Sequence, residues 1–127
     1  MVSEATTPEL SVVVPVMNEA NNIAPLIDEI CTTLEGSKLG FEIIYVDDGS
    51  TDAAPALLAD IMVVRPELRA IRHQECRGQS AAIATGVAAA RANLIATLDG
   101  DGQNDPSDIP SLLARYQEAS AHSSAAL

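Results

Sequence analysis

Apolar positions along the chain fall into short continuous runs separated by longer stretches of helical period. Leu10-Ser-Val-Val-Val-Pro-Val16 is a β-branched run with Pro near its end, which predicts a buried strand stopping there. From Asn18 to Glu35, Ile23, Leu26, Ile27, Ile30 and Leu34 recur at helical spacing, and Gly36 and Gly40 punctuate the end. Phe41 to Val46 reads as a second strand. Ser50 or Thr51 is positioned to cap a helix through Ala56, Leu57, Leu58 and Ile61 that Arg65-Pro66 stops. Leu68 to Arg72 predicts a third strand, Gln79 to Ala92 an Ala-rich helix, and Leu94 to Leu98 a fourth strand. Asp105-Pro106-Ser107-Asp108 opens a last helix, from Ile109 to about Ala119.

Strands and helices alternate without repeat or linker, which predicts an α/β fold: a Rossmann-like parallel sheet with helices on both faces. The expected organisation is one domain over residues 10–118, an N-terminal extension over 1–9 and a frayed Ala- and Ser-rich tail over 119–127. Ligands of such sheets bind beyond the carboxyl ends of the strands. Three informative segments fall there: Pro15 to Glu19, Asp47 to Asp52, and Asp99 to Asp105.

Composition narrows the partners. The 127 residues carry a formal charge of −11, and aromatic content is 2% with no Trp. Phosphate backbones require Lys and Arg, and single strands require stacking platforms, so a nucleic-acid partner is excluded. Cys31 and Cys76 lack zinc spacing and are too few for a disulfide framework, so reduced thiols are expected. Neither a membrane-length apolar run nor a signal pattern occurs, so the expected location is cytoplasmic. Docking to a membrane surface stays compatible with that.

The acids carry the chemistry. Asp99, Asp101, Gln103 and Asp105 alternate with small or polar residues where an apolar strand stops. Oxygen-only ligands of this kind suit Mg2+ or Mn2+, and such a cation suits a diphosphate. Asp101 and Gln103 are the expected direct ligands, with Asp99 close to the sugar or a bound water. At the second strand end, one carboxylate of Asp47-Asp48 could take a ribose hydroxyl or the imide N–H of uracil; an Asx-type turn explains the pair equally well. At the first, Asn18 or Glu19 could hydrogen-bond a base or ribose, or serve as a helix cap and first-turn charge. Arg77-Gly78-Gln79-Ser80 begins a helix whose N–H groups could face an anion, though ordinary chain turning accounts for it too. His73 and His122 have no ligand spacing and are expected at the surface.

Together, Val12-Val13-Val14-Pro15-Val16-Met17-Asn18-Glu19, Val46-Asp47-Asp48-Gly49-Ser50-Thr51-Asp52 and Leu98-Asp99-Gly100-Asp101-Gly102-Gln103-Asn104-Asp105-Pro106 resemble the family 2 glycosyltransferases of GT-A fold. Gly78-Gln79-Ser80-Ala81-Ala82 and the acidic run look most like the polyprenyl-phosphate branch, whose members move a sugar from a nucleotide donor to dolichyl or undecaprenyl phosphate. The resemblance implies that Pro15, Met17, Glu19, Val46 and Asp48 line the nucleotide, that Asp99 and Gly100 approach the donor, and that Asp101 and Gln103 hold the metal. Asp99 and Asp101 are then the catalytic acids of an inverting transfer with a nucleoside diphosphate leaving. Cys76 stands where relatives often have Asn, and Ala92 where many have Gly. The family's acceptor-binding half is expected after residue 118, so the chain reads as a donor-binding part: truncated, a split-gene product, or an inactive remnant.

Other classes fit less well. A Mg-binding receiver domain places its acidic pair after the first strand, whereas a complete βα unit precedes Asp47-Asp48 here. A dinucleotide-binding fold would want Gly-x-Gly-x-x-Gly at the first turn, where Val16-Met17-Asn18-Glu19 stands. A non-catalytic nucleotide-sugar and metal-binding module is the rival compatible with the same motifs.

Overall fold

The computed structural model describes residues 7–37 and 39–100. The strands are β1 (Leu10–Val16), β2 (Phe41–Asp47), β3 (Leu68–Arg72) and β4 (Leu94–Thr97), and the helices are α1 (Ala20–Glu35), α2 (Ala54–Val64) and α3 (Gln79–Ala89). The strands form one sheet in the order β3-β2-β1-β4, every pairing parallel. The chain winds outward from β1 to β3, then returns to place β4 on the other side of β1. That reversal leaves a crevice beyond the carboxyl ends of β1 and β4, the usual ligand position in such sheets.

Central strands covered on both faces need apolar residues at every position, and β1 is buried throughout. Val12, Val14, Val16, Ile43 and Tyr45 face a core shared with Ile23, Ile27, Ile30 and Leu34 of α1 and Leu58 of α2. Val13, Ile44 and Val46 point the other way, toward Ala82 of α3. The burial drives Cys31 up to about 11 and raises the Tyr45 hydroxyl as well, since each anion would form without water.

Pro15 sits in a central strand without costing a ladder bond. Leu98 donates to the Val13 oxygen, so by strand alternation the missing Pro15 donor faces the β4 side. Pairing on that side stops at Val13 and Thr97, so no ladder partner waits for it among the described residues.

Several boundaries differ from the sequence expectation. Helix α1 starts at Ala20 rather than Asn18, because Asn18 adopts φ 54°, outside helical geometry. Its backbone N donates to Ser50 Oγ at 2.9 Å and its side-chain oxygen accepts from Thr51 N at 2.8 Å. Asn18 therefore ties the first turn to the second. Neither Ser50 nor Thr51 caps α2. The cap position is Ala53, without a side-chain bond, and Asp52 just before it accepts from Ala54 N at 2.9 Å, while its other oxygen accepts from Ala20 N of α1 at 3.1 Å. One carboxylate thus serves two helix starts, where partial positive charge favours it. Helix α3 ends at Ala89, three residues before Ala92, and β4 ends at Thr97. The expected helix from Ile109, the tail over 119–127 and His122 lie outside the described residues.

Candidate donor-binding site

A cleft of about 300 Å³ opens at the carboxyl ends of β1 and β4. Pro15, Val16, Met17, Glu19, Asp48, Cys76, Gly78, Gln79, Asp99 and Gly100 line it. Six residues singled out from sequence therefore meet in one place: Pro15, Met17, Glu19, Asp48, Asp99 and Gly100. Val46 does not join them, since its side chain is wholly buried on the α3 face of the sheet. Asp101, Gln103 and Asp105 lie outside the described residues.

Close backbone approach shapes the cleft. A Cβ on Gly100 would lie 2.6 Å from the Pro15 oxygen and 2.4 Å from Val16 Cγ1, so only glycine lets the chain leave β4 against the end of β1. Gly49 has φ +82°, and a Cβ there would meet the Cys76 nitrogen at 2.7 Å. The segment before α3 can thus lie flat against the turn after β2.

Asp48 organises that contact. Its Oδ1 accepts from Arg77 N at 2.8 Å and stands 2.8 Å from His73 Nδ1; its Oδ2 accepts from Gly78 N at 2.9 Å and from the Cys76 thiol at 3.4 Å. Burial alone would raise its pKa, but the Arg77 N–H, the His73 ring, the Gly78 N–H and the Cys76 thiol outweigh it and hold the carboxyl at about 2. Asp48 is therefore an anion at neutral pH. The turn and the ligand reading of this residue coincide: it lines the cleft and braces the chain beside it.

His73 corrects an expectation. Rather than lying at the surface, it is 7% exposed and bonded on both ring nitrogens, to Asp48 and, at 2.8 Å from Nε2, to Thr85 Oγ1 of α3. The signal in the sequence was its place directly after β3, at the same sheet end as the acids. Gln79, read from sequence as part of a helix start and of the branch-like run over residues 78–82, has its Nε2 donating to Asp99 Oδ1 at 3.0 Å.

The electrostatics of the lining are one-sided. Glu19, Asp48 and Asp99 contribute carboxylates, and no Lys or Arg is among the described lining residues. Among the described residues no cluster of three His, Cys, Asp or Glu could hold a metal alone. Mg2+ keeps only one or two carboxylates when phosphate oxygens complete its shell. Oxygen donors at Asp99 and the following Asp101 and Gln103 suit such a hard cation in kind.

Residues 11–125 match the protein family described as glycosyl transferase family 2. The chain belongs to that family. It is 43% identical over 112 residues to dodecaprenyl-phosphate galacturonate synthase of Rhizobium johnstonii, a match covering 86% of this chain and 32% of that protein. It is 35% identical over 119 residues to undecaprenyl-phosphate 4-deoxy-4-formamido-L-arabinose transferase of Salmonella choleraesuis, covering 93% and 36% respectively. The chain thus spans about a third of the length of these curated relatives.

Solved structures agree on the fold. The mannosyltransferase PcManGT from Pyrobaculum calidifontis, in complex with GDP-Man and Mn2+, superposes with TM-score 0.64 at 26% identity, over 84% of this chain and 31% of that one. S. aureus TarS 1-349, in complex with UDP, gives TM-score 0.67 at 20% identity, over 87% and 32%. The architecture is that of the GT-A glycosyltransferases.

Proposed function

We propose that this chain binds the nucleotide-diphosphate sugar of a family 2 glycosyltransferase together with Mg2+ or Mn2+. The enzyme of which it forms the donor-binding part transfers the sugar to an acceptor, a polyprenyl phosphate, with inversion. One observation carries the reading: a cleft at the switch point of a parallel sheet, rich in carboxylates and without a cationic side chain among its described lining. A nucleoside diphosphate would be repelled there on its own, and welcome with a divalent cation.

Within this reading Pro15, Met17, Glu19 and Asp48 hold the nucleotide, and Asp99 and Gly100 approach the sugar. Val46 contributes by backing the end of β2 from the core. Asp101 and Gln103 would hold the cation, and Asp99 and Asp101 are the catalytic acids. The cation would supply electrostatic stabilisation of the departing diphosphate. The acceptor oxygen displaces that diphosphate at the anomeric carbon. Since a phosphate acceptor is already ionised near neutrality, the reaction needs positioning more than a strong general base.

The polyprenyl acceptor is supported by the two curated relatives, whose names specify dodecaprenyl and undecaprenyl phosphate. The nucleotide and cation are supported by the mannosyltransferase complex with GDP-Man and Mn2+. No helix among the described residues is long and apolar enough to cross a membrane.

Calorimetric titration of UDP and GDP, with and without Mn2+, tests the proposal. Metal-dependent binding of one nucleotide is expected, and Asp101→Ala should abolish it while leaving the fold intact. Binding that ignores Mn2+, or survives that substitution, would remove the metal assignment. A folded chain that binds neither nucleotide would remove the donor-site reading.

A further inference from the structure

His73 is buried, belongs to no part of the cleft lining, and yet is bonded at both ends of its ring. Its backbone N donates to the Asp47 oxygen at 2.9 Å, which places the ring under the turn that follows β2. Nδ1 lies 2.8 Å from Asp48 Oδ1 and Nε2 lies 2.8 Å from Thr85 Oγ1. An ionised carboxylate only accepts hydrogen bonds, so Nδ1 carries the proton that points to Asp48. In the neutral ring Nε2 then accepts from the Thr85 hydroxyl. The chain of contacts joins α3 to the end of β3 and to the end of β2.

What this chain holds in place is a wall of the cleft. A carboxylate offers about four acceptor positions, and Asp48 has a donor at each: His73 and Arg77 N on one oxygen, Cys76 and Gly78 N on the other. Three of the four come from residues 76–78, and Cys76, Gly78 and the adjoining Gln79 line the cleft. Turning the carboxylate by rotation about its side chain would release them together. The imidazole is the one side-chain nitrogen that opposes that rotation. On Oδ2 the thiol at 3.4 Å is the weakest of the four partners, the one that a ligand hydroxyl or N–H would displace.

Resting on the donor-pocket reading above, we propose that His73, backed by Thr85, is a positioning residue of the site. It fixes the Asp48 carboxylate, and through it the Cys76–Gln79 wall and the Oδ2 position offered to a hydroxyl or imide N–H of the nucleotide. Partners of this kind, one shell behind the ligand, orient a binding carboxylate in the way that outer hydrogen bonds orient metal ligands.

The test compares His73→Leu, His73→Asn, Thr85→Val and Thr85→Ser in the full chain. Three quantities are read: the Kd for UDP and GDP with Mn2+, the iodoacetamide alkylation rate of Cys76, and the thermal melt. Cys31 is buried and Cys76 exposed, so mass spectrometry gives each variant an internal control. His73→Leu is expected to weaken nucleotide binding about tenfold and to speed Cys76 alkylation several-fold, because the thiol loses its carboxylate partner. His73→Asn, which can still direct an N–H at Asp48, should stay within about threefold of the parent, a shift under 1 kcal/mol. Thr85→Val should show a smaller change in the same direction, and Thr85→Ser none.

A cooperatively folded His73→Leu with the parent's Kd and the parent's alkylation rate would overturn the proposal. If His73→Leu does not fold, Thr85→Val decides: parental affinity and parental alkylation would overturn it. Should the parent bind neither nucleotide, the donor-site reading fails by itself, and the alkylation rates still decide whether His73 holds the wall.

Discussion

Strand β2 carries a buried carboxylate at its start and another just past its end, and the two are satisfied in different ways. Glu42, at the start, receives Ser11 Oγ at 2.6 Å, Arg91 N at 2.7 Å, and both Nε and Nη2 of Arg69 at 3.1 and 2.9 Å. Arg91 Nε stands 3.9 Å away. Burial alone would raise its pKa, but those hydrogen bonds and the Arg69 charge bring it below the usual carboxylate range. Asp48, at the other end, draws on backbone N–H groups, an imidazole and a thiol. Its negative charge is solvated by dipoles, with no arginine paired to it among the described residues.

The contrast separates scaffold from site. A carboxylate met by guanidinium groups of its own chain has its charge balanced in place, and here it knots β1, β2, β3 and the segment after α3 together. A carboxylate met by dipoles keeps its charge in the local field, and at this sheet end Glu19 and Asp99 add to it. At the cleft end Arg72 stands 3.8 Å from Asp47 rather than against Asp48, whereas Glu42 has the Arg69 guanidinium at 2.9 Å.

Breaking Glu42 should give the largest loss of stability. Glu42→Ala leaves Ser11, Arg69 and the Arg91 N–H without their acceptor, and is expected to cost about 3 kcal/mol, tempered by the partial exposure of both arginines. Urea denaturation measures that, and nucleotide affinity of the folded protein should be unchanged. A fall in affinity would mean the two ends are coupled through β2.

Asp48→Asn should cost less stability, about 2 kcal/mol, because the amide keeps the volume but turns an acceptor into a donor facing N–H groups. Here nucleotide binding should fall with stability, by about tenfold. An Asp48→Asn protein with full affinity would show that the wall stands without the carboxylate.

Acid should act on both ends. The folded pKa of Asp48 is about 2 against an ordinary 3.8, and that of Glu42 is lowered from 4.5. Each therefore stabilises the fold above its ordinary value, and the stabilisation is lost as pH falls from about 4.5 toward 2. Unfolding free energy followed by urea titration across that window should decline steadily, and Glu42→Gln should flatten part of the slope. A curve unaffected by Glu42→Gln would remove Glu42 from the titration.

The smallest effect is expected at Arg91→Ala. Its side chain is 58% exposed and its Nε is 3.9 Å from Glu42, so the loss should be under about 1 kcal/mol. The Arg91 backbone N–H keeps its own bond to Glu42 in that variant. A larger loss would show that the second guanidinium is needed to balance Glu42.

Much of the fold was legible in sequence for local reasons. The runs Leu10–Val16 and Phe41–Val46 are β-branched and apolar at both parities, as doubly covered parallel strands must be. The helical spacing of Ile23, Leu26, Ile27, Ile30 and Leu34 marked the buried face of α1 without ambiguity. Caps were less legible, because the acceptor for α1 comes from Asp52, thirty-two residues away. No inspection of the residues next to α1 could have found it.

The same division holds at the site. The chemistry of the chain ends was written in the sequence: acids after β2 and β4, Glu19 after β1, and glycines where backbone must approach backbone. Which acids meet, and what supports them, depended on strand order. Placing β4 beside β1 brings Asp99 and Gly100 to Pro15 and Val16, and placing β3 beside β2 sets His73 against Asp48. Val46 shows the limit from the other side, since it lies within β2 with its side chain in the core, while Asp48, two residues on and past the strand end, reached the cleft. Residue type and period are properties of the chain alone. Partnership across 25 residues of sequence exists only once parallel strands have stacked their ends together.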